Sequence, residues 1–160
     1  MHDGYRRLGN AVCGLCVIAT LVACKGQSAS DIAHPHLYRG FGFTAMLRPE
    51  VLSSADNPGD GFWLYDFHVG SRPLMFAYAG DQPNVPHFTW NAPQLATNLK
   101  SGVRGICKQL RDANKGRASR ECVFDLGRQT PRHLHLWYDS LDATLQRTAD
   151  EAIGSIAAAH

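Results

Sequence analysis

The sequence predicts an α+β domain: a mainly antiparallel sheet of about six strands with a C-terminal amphipathic helix packed on one face. Three observations predict it. Phe41, Phe43, Ala45 and Leu47 alternate with smaller or polar residues, the period of a half-buried strand. Gly70-Ser71 and Asn114-Lys115-Gly116 each separate two strand-like stretches and carry hairpin-turn chemistry. Leu141, Leu145, Ala149, Ala152, Ile153 and Ile156 recur at helical spacing late in the chain.

The first segment reads as separate from that domain. Arg6 and Arg7 stand close behind Met1, and no charge occurs from Ala11 to Ala23, a run of 13 residues. A helix that spans a bilayer needs about 20 apolar residues. The run therefore has the length of a signal h-region. It closes with Leu21-Val22-Ala23-Cys24. Here the sequence resembles the bacterial lipoprotein signal peptides, whose lipobox places an aliphatic residue, a small or aliphatic one, and Ala or Gly ahead of Cys. The resemblance covers the first 24 residues. It implies that residues 1–23 are a signal peptide, that the Ala23-Cys24 bond is cut, and that Cys24 is lipidated. Several acyl chains then hold the chain at a lipid bilayer, where one alone would be marginal. Lys25 follows the Cys where an Asp would retain the protein at the inner membrane. The implied location is the cell envelope, at the outer membrane facing the periplasm.

Residues 24–37 are expected to form a lipid-anchored tether and 38–160 a single globular domain. Of five cysteines, Cys13 and Cys16 leave with the signal and Cys24 carries lipid. Cys107 and Cys122 remain. In an oxidising compartment two spare thiols form a disulfide.

Within the domain, the first strand ends at Pro49, and SSADNPGDG (residues 53–61) reads as a polar loop. An aromatic strand, Phe62 to Val69, returns through Gly70-Ser71 as Arg72 to Ala79. Pairing Val69 with Arg72 sets Trp63 opposite Tyr78, Tyr65 opposite Phe76 and Phe67 opposite Leu74, so that one face is uniformly large and apolar. Residues 80–93 hold three prolines and the apolar group Val85, His87, Phe88 and Trp90, and read as an irregular loop. A second hairpin, about Lys100 to Leu110 with Ser119 to Leu126, can be tested. Placing Cys107 opposite Cys122 also places Lys108 opposite Glu121, Arg104 opposite Asp125 and Ile106 opposite Val123. Two charge matches and an apolar pair follow from one assumption. The last expected strand is His133 to Tyr138. Asp139 or Ser140 would cap the helix, with Asp142 in its first turn. Phe41-Gly42-Phe43…Pro49 and Ala152-Ile153-Gly154-Ser155-Ile156 look like pieces of the PsbP/Mog1-type α/β sandwiches. That resemblance implies a sheet-and-helix fold and no catalytic residue.

Charge narrows the function. Beyond the signal, 14 Lys and Arg face 13 Asp and Glu, so bulk charge argues neither for nor against nucleic acid, and it is the implied location outside the cytoplasm that speaks against a nucleic-acid partner. Locally the chain is polarised. From Lys100 to Arg132 nine basic residues face three acids, a balance of +6, while from Glu50 to Asp81 five acids face one Arg, a balance of −4. Arg111, Lys115, Arg117 and Arg120 suit an acidic protein or an anionic envelope polymer, although a merely solvated hairpin tip would carry the same charges. His133-Leu134-His135 lies on a predicted strand, so both rings project from one face about 7 Å apart and could share Zn or Cu. Trp137 continues that face. No Asp, Glu or Cys stands at an obvious completing position. The alternative puts His133 and His135 on a solvated or loop-covered face while Leu134, Leu136 and Tyr138 enter the core. No nucleophile elbow and no paired carboxylates are identifiable.

The expectation is an envelope lipoprotein without enzymatic activity or cofactor. Its domain binds a protein or polymer partner, and its sharper form is an immunity or inhibitor protein against a toxin or cell-wall hydrolase. The expected contacts are Arg111, Lys115, Arg117, Arg120, His87, Phe88 and Trp90. The alternatives are a metal-binding protein using His133 and His135, and a small envelope enzyme.

Overall fold

The strand period decides which side chains are dry. The computed structural model describes residues 34–59, 61–83, 92–128 and 130–159. In strand β2 (Phe43–Leu47) Phe43, Ala45 and Leu47 are buried, while Met46 between them is exposed. Phe41 is not part of this strand. It sits in the turn from β1 (His36–Gly40), which takes in His36 and Leu37, two residues expected in the tether. Gly42 has φ +76°, and a Cβ there would stand 2.4 Å from Pro131 Cδ, so the turn needs glycine twice over.

The sequence-based expectation of about six strands is too low. The described residues form ten strands in two antiparallel sheets, with one helix. Residues 53–56, expected to begin a loop, belong to strand β3 (Val51–Asp56). The aromatic hairpin is β4 (Trp63–Val69) and β5 (Arg72–Gly80). Then come β6 (Gln94–Asn98), β7 (Arg104–Asp112), β8 (Arg117–Asp125) and β9 (His133–Asp142). Helix α1 (Ala143–Gly154) and the short β10 (Ala157–Ala158) end the chain. The small sheet has the order β1-β2-β10 and the large one β3-β4-β5-β9-β8-β7-β6. The missed strands are edges or short pieces. β3 buries one side chain and β6 none, so neither alternates in sequence, and backbone hydrogen bonds rather than packing hold them.

The β4–β5 register is as expected at the turn and differs beyond it. Val69 faces Arg72 and His68 faces Pro73, but Phe67 faces Met75 across a bulge. Leu74 is the extra residue, and every later pair shifts by one. Tyr65 therefore meets Ala77 and Trp63 meets Ala79, which pairs large residues with small ones on the inner face. Phe76 and Tyr78 turn to the outer face. The β7–β8 register is as expected: Cys107 faces Cys122, Lys108 faces Glu121 and Arg104 faces Asp125. Cys107 and Cys122 are disulfide-bonded, with Cα atoms 4.1 Å apart.

The inner face of the large sheet carries Phe67, Phe124, Leu134, Leu136 and Tyr138, all at most 1% exposed. Helix α1 and the small sheet cover it. Leu145, Ala149, Ala152 and Ile153 come from the helix. Tyr38 and Phe43 reach Tyr65 edge-to-face, with ring centroids 6.2 and 5.3 Å away. Each fully buried large apolar side chain contributes about 1.5–3 kcal/mol. The helix starts later than the sequence suggested. Ser140 and Leu141 still belong to β9, and Asp142 is the cap, accepting from the Thr144 and Leu145 N–H groups at 3.0 Å.

Candidate functional site

Among the described residues, no helix or strand packs on the other face of the large sheet. Alternation and register line up its side chains in rows. One row runs from Ser54 through Asp66, Phe76, Trp137, Glu121 and Lys108 to Gln94. The next runs from Asp56 through Leu64, Tyr78, His135, Val123 and Ile106 to Ala96. The acids lie at the β3–β4 side, aromatic and aliphatic residues in the middle, and Lys108 with Arg104 at the β7 side. Leu52, Leu64, Ile106 and Leu110 on this face are 39–55% exposed, an apolar surface that a sheet backed by a partner would bury.

The centre is held by a buried polar pair. His135 Nε2 and Glu121 Oε1 are 2.9 Å apart, and the two side chains are 3% and 4% exposed. The carboxylate oxygen accepts from the ring N–H, and each group offsets the desolvation of the other. Trp137 lies 4.9 Å from the His135 ring and stacks on Phe76 at 5.8 Å. Beside this plate is a groove of about 200 Å³ lined by Asp56, Leu64, Asp66, Phe76 and Trp137, among others. One oxygen of Asp66, Oδ1, is buried and makes no hydrogen bond.

His133 and His135 do share the outer face, while Leu134, Leu136 and Tyr138 enter the core. The two rings have different neighbours, however. His135 is engaged by Glu121, and His133 lines a separate open cavity of about 670 Å³ with Asp81, Asp125, Arg128 and Arg132. Among the described residues, no three His, Cys, Asp or Glu side chains converge as a metal site. Glu121 is the site residue that the sequence reading assigned elsewhere. It is opposite Lys108 as expected, yet its carboxylate reaches diagonally to β9.

At the β7–β8 tip Arg111, Lys115 and Arg117 are exposed, with Lys115 Nζ 3.7 Å from Asp112. Arg120 is a correction. It sits on the same side of β8 as Ala118 and Cys122, so it points under the helix rather than out from the tip. Its Nη1 is 3.0 Å from Asp150, and Nη2 donates to Cys107 Sγ at 3.7 Å. Asp150 Oδ1 also accepts from the Tyr138 hydroxyl at 3.0 Å. Burial, and then the Asp150 charge, push the Tyr138 hydroxyl well above the usual phenol range. His87, Phe88 and Trp90 lie outside the described residues, as does Cys24. No family model, curated protein or solved structure matches this chain.

Proposed function

We propose that this chain is a lipid-anchored protein of the cell envelope whose domain binds a protein or polymer partner, without catalysing a reaction. The outer face of the seven-stranded sheet is the docking surface. One observation carries the reading: an exposed apolar seam graded from carboxylates at the β3–β4 side to cations at β7. Partner interfaces combine an apolar centre with a charged rim that fixes orientation. The exposed tip residues Arg111, Lys115 and Arg117 extend the cationic end. Anchoring rests on Leu21-Val22-Ala23-Cys24 and the uncharged run before it. In its sharper form, the domain is an immunity or inhibitor protein that occupies a toxin or cell-wall hydrolase stoichiometrically.

Two measurements test this. The first fractionates cells making the wild-type chain or Cys24→Ser. The wild type is expected in the membrane fraction and the variant in the soluble one, and equal fractionation would defeat the anchoring. The second captures complexes from envelope extracts with the wild-type domain and with Leu64→Asp/Ile106→Asp. A stoichiometric complex present with the first and lost with the second is expected. A complex that ignores these substitutions would move the partner off this face.

A further inference from the structure

The basic end of the outer face has a chemistry of its own. On β7 the outward side chains are Arg104, Ile106, Lys108 and Leu110, so cations and aliphatic residues alternate along one line. Arg117, at the start of β8, continues it. Ile106 and Leu110 are 52% and 47% exposed. The acids nearest this line are occupied. Glu121 is buried against His135, and Asp112 accepts from the Asn114 and Lys115 N–H groups and lies 3.7 Å from Lys115 Nζ. Asp125 stands opposite Arg104 in the ladder, yet one of its oxygens accepts from the Gly127 N–H. Among the described residues, Arg104, Lys108 and Arg117 take part in no ion pair. Towards the sheet edge, β6 places Gln94, Ala96 and Asn98 beside Lys108, Ile106 and Arg104. These are uncharged and short, so the line stays open to what approaches.

A protein partner answers cations and aliphatic side chains together only with a matching surface of its own. A bilayer of anionic phospholipid answers both unaided. Its phosphates lie at the surface for Arg104, Lys108 and Arg117, and its hydrocarbon lies just beneath for Ile106 and Leu110. We infer that this end of the outer face binds the surface of an anionic phospholipid bilayer. The contact is peripheral: headgroups meet the cations, and the two aliphatic side chains dip between them. The inference rests on the proposed anchoring, which brings a bilayer within reach of the domain. It goes beyond that reading, because lipid and protein partner then contend for the same cations.

The experiment uses the chain from Lys25 onward, which carries no acyl group. Its Ala33–His160 part is a compact unit in its own right. Sedimentation with vesicles measures binding, with equimolar phosphatidylglycerol and phosphatidylcholine set against phosphatidylcholine alone. Binding about tenfold tighter to the anionic vesicles is expected, declining as salt rises. Arg104→Gln/Lys108→Gln is expected to weaken it by about tenfold. Ile106→Ser/Leu110→Ser is expected to weaken it by a similar factor and to leave its salt dependence unchanged. Arg39→Gln, an exposed cation on the small sheet, is expected to change nothing. Equal binding to both kinds of vesicle would overturn the inference. So would no binding at millimolar lipid, or a loss in Arg39→Gln as large as in Arg104→Gln/Lys108→Gln. Poly-glutamate bound as tightly as the anionic vesicles, with Ile106→Ser/Leu110→Ser unaffected on both, would assign the cations to an acidic protein instead. Vesicle binding by this chain, with the wild type soluble in cells, would sink the anchoring and leave the lipid surface standing. A wild type held in the membrane fraction, with no vesicle binding by this chain, would sink the lipid surface alone.

Discussion

Glu121 and His135 show how much one buried pair can weigh. Both side chains are buried, so removing either takes from the other a polar contact of 2.9 Å in a dry setting. Glu121→Ala is expected to cost about 3 kcal/mol, read from urea unfolding, and Glu121→Gln less because an acceptor remains. Asp142 acts at the surface instead. The Leu145 N–H first, and then Arg72, hold its carboxyl below the usual carboxylate range. A depressed folded pKa means that the ionised form stabilises the fold. That contribution is fully present above the unfolded value near 3.8 and is lost as pH falls through the lower folded one. Asp142→Ala should therefore lower the melting midpoint by roughly 3–6 °C at pH 6, with the gap to wild type shrinking as pH falls below 3.8. At this scale the sequence showed which way side chains point but not whom they meet. Alternation placed His135 outside and Leu134 inside. The Glu121–His135 contact depends on β9 lying beside β8, which no local pattern announces. Arg120 looked like a tip residue because the run around it is basic. Counting along the strand from Cys122 would have placed it on the inner side.

Strands and the helix were legible in proportion to their burial. The β7–β8 hairpin could be registered because its cysteines, charges and apolar pair all depend on one alignment. The disulfide closes a loop with a sequence separation of 15. Replacing both cysteines by alanine is expected to cost about 3 kcal/mol, measured by urea unfolding of variant and wild type. In β4–β5 the turn was read correctly and the bulge was not. A regular ladder matched large residues with large ones, but beneath the helix and the second sheet Trp63 and Tyr65 lie opposite alanines. The extra residue, Leu74, resolves that conflict by moving Phe76 and Tyr78 outward. The outer aromatic plate therefore owes its existence to an irregularity that alternation alone hides. The edge strands β3 and β6 went unread because exposed side chains leave almost no pattern.

Across the molecule, the acidic and basic stretches of the sequence become opposite sides of one sheet, because β3–β4 and β7 lie three or more strands apart. Association with the proposed partner should consequently slow as ionic strength rises. Lys108→Glu/Arg104→Glu is expected to reduce the association rate by about tenfold and to flatten its salt dependence, as stopped-flow mixing with a purified partner would record. The place where the chain enters the fold sets a different property. His36 begins β1, which among the described residues pairs with β2 alone, in five pairs from His36–Leu47 to Gly40–Phe43. Tension on the segment before His36 is thus delivered to the smaller sheet. Pulled across the strand, those pairs part in succession from the His36 end. Pulled along it, they must shear together, and Tyr38 must also leave Tyr65 and Phe67. The strand by which the chain enters the domain thus has a weak and a strong direction of load.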